Sequence, residues 1–225
     1  MGEMLTRDAE HHYFWKGQRV PGVSEVLAPY SEFAKFAVDD ERMEQYRERG
    51  RAVHSLCELF DRGRLNHAEL DDIGKLYVTQ WQLFLREVGF TPVLIEHMAY
   101  SKSFGFAGQL DRYGVRTVKG KEKKMLVDIK SGVPGRTTGQ QTAAYSQLVR
   151  EDFGENVDER WAVHLTPKFY KIVPYDKAAD FKIFASALVI HNWHYKEQQN
   201  ERTSNERPEH THSVGTGISP GSHHQ

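Results

Sequence analysis

The hydrophobic positions change their period near residue 90. Before it they recur every three to four residues: Val53, Leu56, Cys57 and Phe60, then Leu70, Ile73, Leu76, Tyr77, Trp81, Phe84 and Leu85. That spacing predicts helices over about 39–62 and 68–88, with Asp39 or Asp40 capping the first and Gly89 ending the second. Ahead of them, the aromatic run Tyr13-Phe14-Trp15 before a Lys16-Gly17 turn reads as a hairpin over about 12–20, and Ser24 is placed to cap a helix running through Val26 and Leu27. After residue 90 the alternation is that of strands, over about 92–100, 106–116 and 124–129, with turns near 103–105 and 119–121. A Gly-rich loop over about 131–139 leads to a helix over 140–150 and strands over 160–165 and 169–173. A long helix over about 176–199 follows. The order predicts an α/β fold, a mixed central sheet flanked by helices with an N-terminal helical region. Trp81, Trp161 and Trp193 fall in apolar segments and are expected in the core.

Composition supports one domain over 1–200, with 1–90 mainly helical and 91–200 holding the sheet and closing helices. Residues 201–225 contain two aliphatic side chains, Val214 and Ile218, among Ser, Thr, Gly, Pro and His, and are expected to be a disordered tail. Lys and Arg number 30 against 31 Asp and Glu, for a net charge of −1. A polyanionic partner must therefore be held by local basic patches or by metal ions. Cys57 is the single cysteine, which rules out an intrachain disulfide framework and a cysteine-ligated iron–sulfur cluster. The start, with Arg7, Asp8 and Glu10, lacks the apolar centre of a signal peptide, and the best apolar run, 183–190, is too short for a membrane span. A cytoplasmic protein with no membrane partner is expected.

The candidate chemistry lies in Gly108-Gln109-Leu110-Asp111 and, one hairpin later, Val127-Asp128-Ile129-Lys130. Residues two apart on a strand share a face, so Asp128 and Lys130 point together while Val127 and Ile129 enter the core. Pairing through a turn near Gly120 brings Asp111 to the same end of the sheet. Two carboxylates there form a hard oxygen site suited to Mg²⁺, and a neighbouring lysine can steady developing negative charge. Taken alone, Asp-x-Lys reads first as an ordinary surface ion pair on an edge strand. Two further pairs surround it in order: Gly50 and His54, then Gln141 and Tyr145, each four apart on a helix face.

This ordered set, Gly50 to His54, Gly108 to Asp111, Asp128 to Lys130 and Gln141 to Tyr145, resembles the PD-(D/E)XK nuclease superfamily, in particular its RecB-like branch and related phage exonucleases. The resemblance covers about 49–150 and implies a restriction-endonuclease-like fold. It implies a Mg²⁺- or Mn²⁺-dependent DNA nuclease, an exonuclease serving phage or bacterial recombination, repair or end processing. In it Asp111, Asp128 and Lys130 are catalytic. His54, Asp111, Asp128 and the Ile129 backbone carbonyl hold the metal, with Glu96 as a further candidate ligand. Gln141 and Tyr145 shape the site and touch the DNA backbone. Separately, the basic hairpin residues, Arg112 among them, together with Arg136 are candidates for phosphate contacts, or else an ordinary solvated tip. Implied partners are DNA, at single- or double-stranded ends, a single-strand annealing or recombination protein, and further copies of the chain. The alternatives are a non-cleaving DNA- or protein-binding module on the same fold, or an RNA-processing nuclease. Gly50 is read as the residue that lets its helix approach the sheet.

Overall fold

The computed structural model describes residues 4–31, 40–132 and 135–205. Three short strands, β1 (Leu5–Arg7), β2 (Tyr13–Trp15) and β3 (Gln18–Val20), form a small antiparallel sheet. The helix α1 (Val23–Leu27) follows, then α2 (Asp40–Asp61) and α3 (Asp72–Val88). The main sheet is built from β4 (Phe90–Ser101), β5 (Phe106–Val118), β6 (Lys121–Lys130), β7 (Glu159–Leu165) and β8 (Tyr170–Pro174), in that spatial order. The helix α4 (Thr138–Phe153) crosses from β6 to β7, and α5 (Asp180–Asn205) closes the described chain. The β6–β7 pair is parallel and the other pairs antiparallel. The fold is thus the expected mixed α/β sheet flanked by helices. Among the described residues no helix is long and apolar enough to cross a membrane.

Each face of the sheet buries its own apolar cluster. On one, α1, α4 and α5 bring Val26, Leu148, Phe184 and Leu188 against Phe106, Leu110 and Leu126. On the other, α2 and α3 bring Val53, Cys57, Trp81 and Phe84 against Met125, Val127, Ile129 and Val163. Their helical spacing is what the sequence displays, and Gly89, in the left-handed conformation at φ 69°, ends α3 as expected. The small sheet docks on the main one through an Ala107 N–H to Pro21 carbonyl bond of 2.9 Å and a Trp15–Tyr100 stack.

Several local expectations are corrected. The helix over Val26 and Leu27 is capped at Gly22, whose N–H donates to Glu25 at 3.2 Å, and Pro29 sits in the 3₁₀ turn that follows it. Strand β1 is three residues long with one partner, too short to leave a periodic signal. Asp40 is the first residue of α2, and Asp39 lies outside the described residues. The boundary expected at 201 moves, because α5 continues to Asn205; the remainder of the expected tail, 206–225, lies outside the described residues. Trp81 is core, whereas Trp193 is 57% exposed, since it projects from α5 on the side away from the sheet.

Two glycines differ in what they contribute. Gly114 faces the β4 irregularity between Pro92 and Leu94, and a Cβ there would stand 2.1 Å from the Thr91 carbonyl oxygen and 2.9 Å from Pro92 Cα. Gly50 has room: its nearest neighbour would be Ser131 Oγ at 3.7 Å, so close helix approach does not explain it. Gly114→Ala should therefore cost about 3 kcal/mol or more in denaturant unfolding, because backbone must move. Gly50→Ala should raise stability by about 0.5–1 kcal/mol by restricting the unfolded chain and favouring helix. Equal effects of the two substitutions would contradict this packing.

Candidate metal centre

The pairing of β5 with β6 runs from Val118 opposite Lys121 to Arg112 opposite Val127. Beyond that point the Ile129 N–H donates to the Asp111 side chain, at 2.6 Å from Oδ2. Asp111 thus takes a ladder position with its carboxylate, and its other oxygen is turned to the cavity at this end of the sheet. Glu96, on edge strand β4, reaches the same place from a left-handed backbone at φ 50°. His54 arrives from α2, its Nδ1 3.6 Å from Asp111 Oδ1 and 3.8 Å from Glu96 Oε1. One donor atom from each of the three lies within 4.8 Å of the others.

The imidazole is oriented from behind, with Nε2 2.9 Å from the Ile129 carbonyl oxygen. A carbonyl can only accept, so Nε2 keeps its proton and the Nδ1 position faces the carboxylates. One nitrogen and two carboxylates are a donor set that fits Mn²⁺ and, through its oxygens, Mg²⁺. Burial opposes a charge on His54, but Asp111 and Glu96, with Asp128, outweigh it and lift its pKa to about 9. Burial pushes Asp111 up to about 6, His54 pulling against it and Asp128 and Glu96 reinforcing it. The site holds a proton where it could hold a cation.

Asp128 and Lys130 stand beside this set on β6. Asp128 is almost fully buried, and Lys130 Nζ lies 2.8 Å from its Oδ2. Burial works against the ammonium, but Asp128 and then Asp111 raise its pKa, so Lys130 stays charged. Its Nζ also donates to Gln141 Oε1 at 3.2 Å, and Gln141 Nε2 donates to the Tyr145 hydroxyl at 3.1 Å. Helix α4 therefore supports Lys130 through two side chains one turn apart. All of these residues line one cavity of about 750 Å³, walled on its far side by Arg7, His12 and Tyr13 of the small sheet.

The structure brings together His54, Glu96, Asp111, Asp128, Lys130, Gln141 and Tyr145, with the Ile129 carbonyl held by His54. It does not bring Arg112 to the cavity. That guanidinium is 0% exposed and committed to carboxylates: Nε donates to Asp61 Oδ2 at 2.6 Å and an Nη to Glu96 Oε1 at 2.8 Å. A phosphate contact from Arg112 is corrected accordingly; it orients Glu96 instead. Arg136 is exposed in the loop before α4 and outside the cavity lining. The basic hairpin tip lies seven strand residues beyond Asp111, about 23 Å away at the usual rise, and Lys123, Lys124 and Arg116 are paired with Asp158, Glu155 and Glu159.

Two contributors escaped the sequence reading. Gln109 donates to Glu96 Oε2 at 2.6 Å and accepts from Arg7, tying the small sheet to the site. Asp61 anchors Arg112 and accepts the Trp81 indole N–H at 2.8 Å. A signal existed for both: Gln109 is two residues from Asp111 on one strand, and Asp61 is two helical turns from His54.

Neither a family model nor a curated protein matches the chain. Among solved structures, the crystal structure of "Putative exonuclease" from Eubacterium rectale matches at a TM-score of 0.40 and 13% identity, over 76% of this chain and 77% of that one.

Because His54 must lose its proton to ligate, metal binding should release one proton at neutral pH. Mn²⁺ affinity should rise about tenfold per pH unit from 7 upward and level off near pH 9, where His54 is already neutral. Calorimetric titration in buffers of different ionisation enthalpy measures the proton count. Binding without proton release would remove His54 from the ligand set.

Proposed function

We propose that the chain is a divalent-metal-dependent deoxyribonuclease of the PD-(D/E)XK superfamily, an exonuclease that hydrolyses DNA phosphodiester bonds in recombination, repair or end processing. The observation that carries this reading is the meeting of His54, Glu96 and Asp111 beside the Asp128–Lys130 pair in one open cavity. A structural ion pair would not need three further ionisable groups facing it.

In this reading His54, Glu96 and Asp111 would hold Mg²⁺ or Mn²⁺, with Asp128 beside them, while the Ile129 carbonyl, expected as a ligand, is engaged by the His54 Nε2–H and orients the imidazole instead. The ion supplies Lewis-acid activation of water and neutralises charge on the scissile phosphate. Lys130 remains protonated, so it acts as a fixed positive charge where negative charge develops at phosphorus, not as a base. Gln141 and Tyr145 hold that ammonium in place. Arg112 and Gln109 fix the Glu96 carboxylate from behind.

Purified protein should degrade DNA with Mg²⁺ or Mn²⁺ and stop on addition of EDTA; activity that survives EDTA would refute the metal requirement. Single-stranded DNA, duplex DNA and RNA run side by side identify the substrate, with DNA degradation expected. Asp111→Asn should abolish both cleavage and tight Mn²⁺ binding. Lys130→Met should reduce cleavage by about a hundredfold or more and leave Mn²⁺ affinity within a few-fold of wild type. Equal loss of metal binding in the two variants would contradict the assigned roles.

A further inference from the structure

The long helix α5 is apolar on two opposite sides. Phe184, Ala187 and Leu188 pack into the core. On the opposite side Val189, Ile190 and Trp193 are 68%, 46% and 57% exposed. At about 100° per residue, Lys182, Ser186, Val189, Ile190, Trp193 and Glu197 fall within an arc of about 100°, the width of a face that normally meets a partner. Surface hydrophobics scattered singly are ordinary, but a row of three over one turn, with a charge at each end, is an interaction surface.

We propose that this face is a two-fold interface between two copies of the chain, α5 packing antiparallel on α5. The end charges select this occupant. Lys182 lies as far before the Val189–Ile190 midpoint as Glu197 lies after it, so an antiparallel copy sets Lys182 of each chain against Glu197 of the other. The same axis sets Ser186 opposite Trp193, a small residue facing a large one, and brings Val189 beside its own copy, level with Ile190. Isologous pairing requires this self-complementarity about a single axis. A parallel copy would oppose like charges. The interface is independent of the nuclease reading, since none of its residues lines the metal cavity.

Sedimentation velocity of the full chain tests it. The expected result is a reversible monomer–dimer equilibrium in the micromolar range, as befits a modest interface. Ile190→Glu should raise the dimer Kd at least about tenfold, with the circular dichroism spectrum unchanged. Lys182→Glu and Glu197→Lys should each raise it about fivefold, and the double reversal should return it to the wild-type value. Val189→Cys should form a disulfide-linked dimer on mild oxidation, because Cys57 is buried and does not compete. A chain that stays monomeric at tens of micromolar, whether this face is bare or covered by the chain itself, would overturn the proposal. So would a double reversal no better than the singles.

Discussion

The candidate centre rests on one buried cation. Arg112 is shut away from water, and its guanidinium reaches Asp61 at the end of α2, Glu96 on β4 and the Asp111 carbonyl on its own strand. Asp61 in turn takes the indole proton of Trp81 from α3. Four elements are thereby tied at one point. Removing the guanidinium would leave Asp61 with only the Trp81 indole and Glu96 with His54 and Gln109, close to the case in which a buried ion pair is strongly destabilising to break. The pair keeps Glu96 both ionised and fixed in direction. Burial raises its pKa, and His54 and Arg112 bring it back below the ordinary value.

The balance of charge around that point explains the behaviour of the rest. Asp61, Glu96, Asp111 and Asp128 face Arg112, Lys130 and a protonated His54, which leaves one negative charge uncompensated. The deficit shows in His54, which the carboxylates lift against burial, and it adds to the burial that raises Asp111. A divalent cation that displaces the His54 proton brings the set to neutrality. In low dielectric such neutrality decides between states more strongly than any single contact does. The chain's own charges thus make this a place that could accept a divalent cation.

What the sequence reveals and what it hides divide along the same line. Periodicity reports average burial over a face. Hence it finds α2, α3 and the sheet strands, and the turn at Gly120 places Asp111 and Asp128 at one end. It misreads Arg112 because a charged residue on a strand looks solvated unless its partner is known, and Asp61 is 51 residues away. It gives no hint that Glu96 sits at φ 50° on an edge strand, where few pairing constraints forbid it. Gly50 carries the opposite lesson. Its place in an ordered motif suggested close packing, yet space surrounds it. Trp193 looks like core because α5 is apolar on both sides, and a helical pattern alone cannot say which side the sheet takes.

The end of the β5–β6 ladder is what lets a polar site exist in so apolar a sheet. Met125, Val127 and Ile129 are fully buried, and each backbone N–H among them needs an acceptor. At Ile129 the acceptor is the Asp111 carboxylate, which is thereby held in plane with the sheet and exposed to the cavity on its other oxygen. A backbone carbonyl in that position would satisfy the amide equally but carry no charge. The Ile129 carbonyl, which points to the same side of the strand as the residue's own N–H, accepts from His54 and aims the imidazole. The main chain of one residue, Ile129, therefore orients two of the three prospective ligands. The third, Glu96, is oriented by Arg112, whose own strand position is adjacent to Asp111. The precision of the centre comes from the sheet's main-chain bonding at the point where it stops, and α2 needs only to deliver one imidazole to it.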